Sequence, residues 1–407
     1  ERAKTHPELA PDMQALCWGA LSIGGLLAAV TVGSMQAKIG DRQIFGLNAF
    51  TGLSIAIPAA LGFMQEQREP PHRRNRACDS IKEGFRNPVG KWVFYTAIAV
   101  SICSVFLGLL AVLETSHNSD VINGSLTLAC AVCVVAPAVW LFLRRVSPVL
   151  AKASTFIFLR EALQPSTSVL FYWYRRTEEN CKKGYPCLDP EFIGLMDAVA
   201  YVFLLCGTIV YQKFFSKWTY RGIFILAQVL LVGFNLLDLI WVTRLNVKLG
   251  ISDKLFLFGE EVFGPILMRL ALMPMLILSA KLCPPGVEAT LFALNMGLSN
   301  FGVSVGRYLG VFCLEMFGGI EGPEFKNLQW FVLLRSLTRF IPILFVHQLV
   351  PKGTPTDDAR AMSERNVGGD CGGSDVRESK ENQESSISLE DIGHGDRKKG
   401  WRRVDLQ

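Results

Sequence analysis

The sequence predicts an all-α, polytopic membrane protein with about ten transmembrane helices in this chain, on three observations. First, residues 13–35, 43–64, 92–113 and 121–143 contain no Asp, Glu, Lys or Arg, and each run exceeds the roughly 18 residues at which a helix can cross a bilayer. Second, 50% of the 407 residues are hydrophobic and only 19% are charged, with a mean hydropathy of +0.30, whereas soluble domains carry about 25% charge. Third, the basic residues concentrate in alternate loops between the apolar runs. Together these exclude an ordinary soluble enzyme, a disordered chain and a disulfide scaffold.

After the four charge-free runs come six more candidate spans, at 154–174, 192–212, 222–243, 262–280, 289–314 and 328–350, and each holds at least one ionisable residue. The loop 65–91 carries Arg68, Arg73, Arg74, Arg76, Lys82, Arg86 and Lys91, so it is assigned to the cytoplasm. Counting spans from it puts Arg144, Arg145, Lys152, Lys213, Lys217 and Arg221 on the same side and makes both ends of the chain cytoplasmic. Glu114, Asp120, Glu315, Glu321 and Glu324 fall outside. Asn123-Gly124-Ser125 is a glycosylation sequon on the outer side, with Asn123 as acceptor. Cys181 and Cys187 share an outer loop, where a disulfide could persist.

The remaining cysteines lie mostly in apolar runs. The Cys130–Cys133 pair sits in a span without His or acidic neighbours, so it reads as packing rather than metal binding. No basic stripe interleaved with aromatics suggests nucleic acid, and no GxSxG, HExxH or P-loop suggests an enzyme or a bound cofactor. The segment 351–407 is polar, without apolar periodicity, and reads as a disordered cytoplasmic tail; its cluster Arg397, Lys398, Lys399, Arg402 and Arg403 could touch anionic lipid.

The ionisable residues inside spans are the candidate site, because a charge at membrane depth costs about 2.5–3.5 kcal/mol on insertion scales and usually faces a bundle interior or wet cavity. Arg269 lies near the middle of its span. Arg335 and Arg339 are four apart and share a helix face. Arg160 and Glu161 are adjacent, about 100° apart around a helix, and so are not expected to meet the same partner. Asp197, Asp238 and Arg307 lie nearer the span ends, where they could snorkel. Asn295 and Asn300 are amides deep in the ninth span. One reading is a central cavity in which Arg160, Arg269, Arg335 and Arg339 meet an anionic solute while Glu161, Asp238, Asn295 and Asn300 take its donor groups, with a carboxylate binding a coupling proton. The other is interhelical ion pairing. Pro58, Pro137, Pro165, Pro265, Pro274 and Pro342 interrupt spans, either as discontinuous helices lining a site or as packing kinks. Small residues at Gly297, Ser299, Gly302, Ser304, Gly306 and Gly310 predict close helix contact in the ninth span.

Three stretches resemble the folate–biopterin transporter family of the major facilitator superfamily. They are Leu16-Cys17-Trp18-Gly19, then Leu249-Gly250-Ile251-Ser252-Asp253, and the run Cys283-Pro284-Pro285-Gly286-Val287-Glu288-Ala289-Thr290-Leu291-Phe292-Ala293 followed by Ser299-Asn300. The resemblance covers 1–64 and 154–350 and implies a major-facilitator-like bundle of two six-helix halves working by alternating access on folate, biopterin or a related solute. On that reading residues 1–64 are the last two spans of the N-terminal half, 65–91 the basic cytoplasmic loop, 92–145 an extra transmembrane hairpin, 146–350 the C-terminal six-helix half and 351–407 the tail. Four family helices would precede Glu1, so the chain is expected to be N-terminally truncated. The leading expectation, from the resemblance together with the mid-span charges, is that Arg269 and Arg339 attract solute carboxylates and Glu161 meets the donor edge of a pterin ring. Glu288, in the first turn of its helix, has a structural reading through the helix dipole. The competing expectations are a transporter of another small solute, such as an amino acid or nucleoside derivative, and a non-transporting membrane partner or receptor fragment.

Overall fold

The computed structural model describes residues 10–39, 41–63, 85–86, 90–113, 119–174, 184–188, 190–283, 288–318 and 327–357, all within one compact unit. Their order is α1 (Ala10–Ile39), α2 (Asp41–Ala60), α3 (Gly90–Leu113), α4 (Ser119–Cys130), a wide π-type turn (Ala131–Val135), α5 (Ala136–Arg144), α6 (Pro148–Ala162), α7 (Val169–Tyr174), α8 (Pro190–Val210), a second wide turn (Tyr211–Phe215), α9 (Tyr220–Val242), the short α10 (Leu245–Lys248), α11 (Asp253–Lys281), α12 (Glu288–Met316), α13 (Leu328–Thr338) and α14 (Ile341–Leu349). Seven segments among the described residues are long and apolar enough to cross a membrane: Pro11–Thr31, Gly90–Leu109, Gly124–Arg144, Phe192–Phe215, Tyr220–Val242, Asp253–Lys281 and Leu328–Leu349. The other three expected spans are helical too, as α2, as the broken pair α6 and α7, and as α12. The architecture is thus the all-helical, multi-pass membrane fold that the apolar runs predict.

The outside of the bundle is apolar and its polar groups turn inward. Leu16 is 77% exposed, Leu27 62% and Ile102 63%, while Asn295 and Ser154 are fully buried. That inversion suits a hydrocarbon surround, where an apolar surface carries no penalty. α1 runs antiparallel along α8: Gln212 donates to Asp12, Leu205 packs on Gly19, and the Tyr201 ring lies directly over Gly25, where any side chain would collide with it. The centre is built from α6, α9, α11 and α14, with Phe156 and Phe224 at 5.1 Å between ring centroids. A second cluster joins α3 and α5 to α6 and α12. At the other end of α9, Trp241 is stacked between Tyr174 and Phe256, both at 5.2 Å.

Prolines have unequal effects. Pro265 and Pro274 leave α11 a single helix of 29 residues. Pro165 ends α6, and 163–168 cross to α7 without helix. The Ser166 N–H of this crossing donates to Gly306 O of α12 at 3.1 Å. Gly302, Gly306 and Gly310 line the α12 face against it. A Cβ at Gly306 would stand 2.6 Å from Gln164 O, and one at Gly310 2.4 Å from Ser166 O. The small-residue pattern in the ninth span is therefore a groove for unwound backbone. Pro342 starts α14 and separates it from α13 at Arg339 and Phe340. The wide turn Ala131–Val135 precedes Pro137 and absorbs the rung that the proline removes.

Residues 351–357, grouped by composition with the tail, lie against the bundle: Tyr220 N–H donates to Gly353 O at 3.0 Å and Lys281 Nζ to Asp357 O at 2.5 Å, while Arg221 Nε holds the preceding Val350 O at 2.8 Å. The rest of the tail with its Arg397–Arg403 cluster, most of the basic loop, and the Pro284–Val287 turn lie outside the described residues.

Candidate functional site

The broken helices bring five of the predicted site residues together. At the end of α6, Arg160 contacts Glu161 Oε1 through Nη2 at 2.5 Å and Nε at 3.1 Å, and its Nη1 donates to Ala271 O of α11 at 2.6 Å. Helix geometry argued only against a shared third partner and left this mutual contact open. The Arg160 stem is long enough to fold back, so its guanidinium reaches its neighbour's carboxylate although the two Cβ atoms diverge. On α9 and α13, Arg335 pairs with Asp238 and donates to Asn235 Oδ1 at 3.3 Å. Asp238 is 4% exposed. It does not snorkel, because the Arg335 guanidinium gives it a partner inside the bundle.

Arg339 lies at the α13–α14 break, within electrostatic reach of Glu161, Asp238, Arg160 and Arg335. It therefore links the two ion pairs, and it has no carboxylate at contact distance among the described residues. Its backbone carbonyl shows how the break is tolerated. Ile343 N–H turns to Phe340 O, and Gln228 Nε2 from α9 donates to Arg339 O at 2.7 Å. Gln228 is 4% exposed and was missed in the sequence; the signal available was an amide in an apolar run ten residues before Asp238. Also missed were Glu260 and Glu261 of α11, outside the expected 262–280 boundary. Glu260 is in electrostatic reach of Asp238, Arg335 and Glu261, and Glu261 of Asp197. Two adjacent carboxylates four and five residues before Pro265 in an apolar run were the available clue.

Arg269 lies elsewhere, at the seam between α1 and α11. It is 2% exposed. Its Cζ is 4.6 Å from the Trp18 ring centroid, Nη2 donates weakly to Ser22 Oγ at 3.4 Å, and Nε has no partner. Gly207 of α8 permits the close approach of α11 at this level, since a Cβ there would stand 2.8 Å from Ile266 Cα. Asn295 forms a third locus: fully buried, it accepts from Ser154 Oγ at 2.8 Å and leaves Nδ2 unpartnered. Asn300 is exposed and joins none of these groups. Asn123 lies in α4 immediately before the span that opens at Gly124; its side chain is outside the described residues. Cys187 is disulfide-bonded, and Cys181 is outside the described residues.

Between α6, α9, α11 and α14 a narrow cleft is lined by Arg160, Gln228, Ala271, Pro342, Phe156 and Phe224, with no room for a solute in this structure. Among the described residues no group of three His, Cys, Asp or Glu side chains forms a metal site.

Multiple apolar spans around buried arginine–carboxylate pairs at helix breaks define an integral multi-pass membrane protein with a polar interior. The chain belongs to the BT1 family, whose model matches residues 1–367, the stretch 92–145 included; this is a transporter family, not an enzyme family. Similar proteins include "Probable folate-biopterin transporter 6" of Arabidopsis thaliana, 30% identical over 351 residues, covering 86% of this chain and 58% of the relative. "Folate-biopterin transporter" of Synechocystis sp. is 31% identical over 355 residues, covering 87% and 58%. "Folate transporter 1" of Plasmodium falciparum is 25% identical over 194 residues, covering 48% and 37%. The chain thus spans 58% of the length of the first two relatives. No solved structure matches it.

Proposed function

We propose that the chain acts in a secondary transporter that moves folate, biopterin or a related solute by alternating access. The observation that carries this is the buried set Arg160, Glu161, Asp238, Arg335 and Arg339 at the α6–α7 and α13–α14 breaks. Two of its arginines are matched by carboxylates and Arg339 is not. Such a set holds an anionic solute through Arg339 while Glu161, freed from Arg160, accepts from the donor edge of a pterin ring. A coupling proton is part of this proposal, carried by a carboxylate of the set once its guanidinium partner turns to the solute. Residues 146–350 would move as one body against the α1–α2 pair, with both chain ends cytoplasmic, Asn123 glycosylated outside and Cys187 joined to Cys181.

The relatives' names support the folate or pterin class. The residues alone define an anion bearing hydrogen-bond donors, a description that an amino acid or nucleoside derivative also meets. Uptake of labelled folate and biopterin into proteoliposomes carrying the protein tests the proposal: accumulation of either supports it, and accumulation of neither by correctly inserted protein overturns the solute class.

A further inference from the structure

The buried arginines differ in what faces them. Arg160 has Glu161, Arg335 has Asp238, and Arg339 has both carboxylates in electrostatic reach. Arg269, at 2% exposure, has the π face of Trp18, a hydroxyl at 3.4 Å and an unpartnered Nε. A guanidinium taken out of water needs compensation, and a π face with one weak hydrogen bond leaves most of its charge unmatched. The residue lies between Pro265 and Pro274 of α11, so the helix that carries it lacks rungs on both sides and can bend there.

We propose that Arg269, Trp18 and Ser22 form an anion site at the α1–α11 seam that takes a carboxylate of the solute and so favours carboxylate-bearing solutes over neutral ones. The inference rests on the folate or pterin reading and deepens it. Arg269 is the binding group. Trp18 is a positioning residue: its ring holds the guanidinium flat, leaves its edge donors Nε and Nη2 free for a carboxylate, and keeps water from the opposite face. Ser22 Oγ, which itself donates to Trp18 O at 2.9 Å, is the weak acceptor that a carboxylate would displace. Because α1 and α11 both contribute, a bound carboxylate would also bridge the first helix to the C-terminal helices.

Three probes separate the contributions. Folate carries carboxylates and a pterin, p-aminobenzoylglutamate carries carboxylates without a pterin, and biopterin carries a pterin without a carboxylate. Equilibrium binding to the purified protein in nanodiscs is measured for the unsubstituted protein, R269Q, R269K, W18L and W18F, with size-exclusion profiles as the folding control. R269Q is expected to weaken folate and p-aminobenzoylglutamate by about tenfold or more relative to biopterin, the size of a lost charge-assisted hydrogen bond. W18L is expected to shift the same ratio by about fivefold, and W18F, which keeps a π face, to restore most of it. R269K, which keeps the charge without the planar fork, falls between. Equal losses for all three probes, or no loss, overturn the seam assignment while leaving the solute class standing. Failure of the unsubstituted protein to bind any probe overturns the solute class and this assignment together.

Discussion

Neutralising Asp238 should destabilise the protein far more than removing the whole ion pair. The carboxylate and guanidinium side chains are 5% and 11% exposed, and among the described residues Arg335 has only Asn235 Oδ1, at 3.3 Å, as a further side-chain acceptor. In D238N the guanidinium stays buried with no anion at contact distance, which for buried pairs costs about 3–5 kcal/mol. Replacing both partners with apolar residues of similar volume, as in D238L/R335M, removes both desolvation penalties and is neutral or stabilising by about 1–4 kcal/mol. The expected order of stability is therefore the double variant at or above the parent, with D238N and R335M each well below. Melting of the detergent-solubilised protein, read by size-exclusion after heating, gives that order, and a double-mutant cycle isolates the pair energy. Uptake gives the second half of the answer. If the pair serves the solute, the double variant is stable but does not transport; if it is only structural, transport survives. D238N melting with the parent would refute the reasoning, since it would mean that Arg335 does not depend on its partner.

Three further outcomes follow from local geometry. G310A should melt below the parent, because the new Cβ would meet Ser166 O at 2.4 Å and Ser166 N at 2.7 Å, both backbone atoms, at an overpacking cost of about 1–3 kcal/mol. G297A, with nothing within 4 Å of its Cβ, should be level or gain up to about 1 kcal/mol of helix propensity, as the same heating assay would show. D253N should lower stability by about 1.5–3 kcal/mol without changing the apparent KM for uptake. Asp253 receives Arg244 at 2.6 and 2.8 Å, Trp241 Nε1 at 2.8 Å and Asn246 Nδ2 at 2.9 Å, a corner that joins α9 to α11.

The helices were legible because their signal is local. A run such as 92–113 has no charge, and no soluble core needs that. The ion pairs were only half legible. Arg335 and Arg339 announce a shared face, but that Asp238 meets Arg335 is a fact about how α9 packs on α13, 97 residues apart in sequence. Glu260 escaped because the span was expected to begin at 262, and a boundary two residues late left out the carboxylate nearest the network. Gln228 escaped for a different reason. Its role exists only because, at the break beside Pro342, Ile343 N–H turns to Phe340 O and leaves the Arg339 carbonyl to a side-chain donor, so neither residue is informative without the other. Trp18 stood in a stretch that carried the family resemblance, yet nothing in its neighbours pointed to an arginine 251 positions away in the sequence.

In the proposed transporter the same side chains would serve the solute and the broken backbone, which would tie binding to motion. Arg160 Nη1 holds Ala271 O, in the turn that Pro274 weakens, and Gln228 holds Arg339 O, which Ile343 N–H has left for Phe340 O. A buried carbonyl left without a donor costs about 1–3 kcal/mol. A solute anion that drew the Arg160 guanidinium away would take from Ala271 O its side-chain donor, one residue from Leu270 O, whose helix donor Pro274 lacks, and would favour a bend there. A shift of α14 that exposes the cleft likewise releases Gln228 from Arg339. Under the proposed function, occupancy of the site and the angle of these helices would be two readings of one hydrogen-bond inventory, a physical reason for a closed bundle to open on binding.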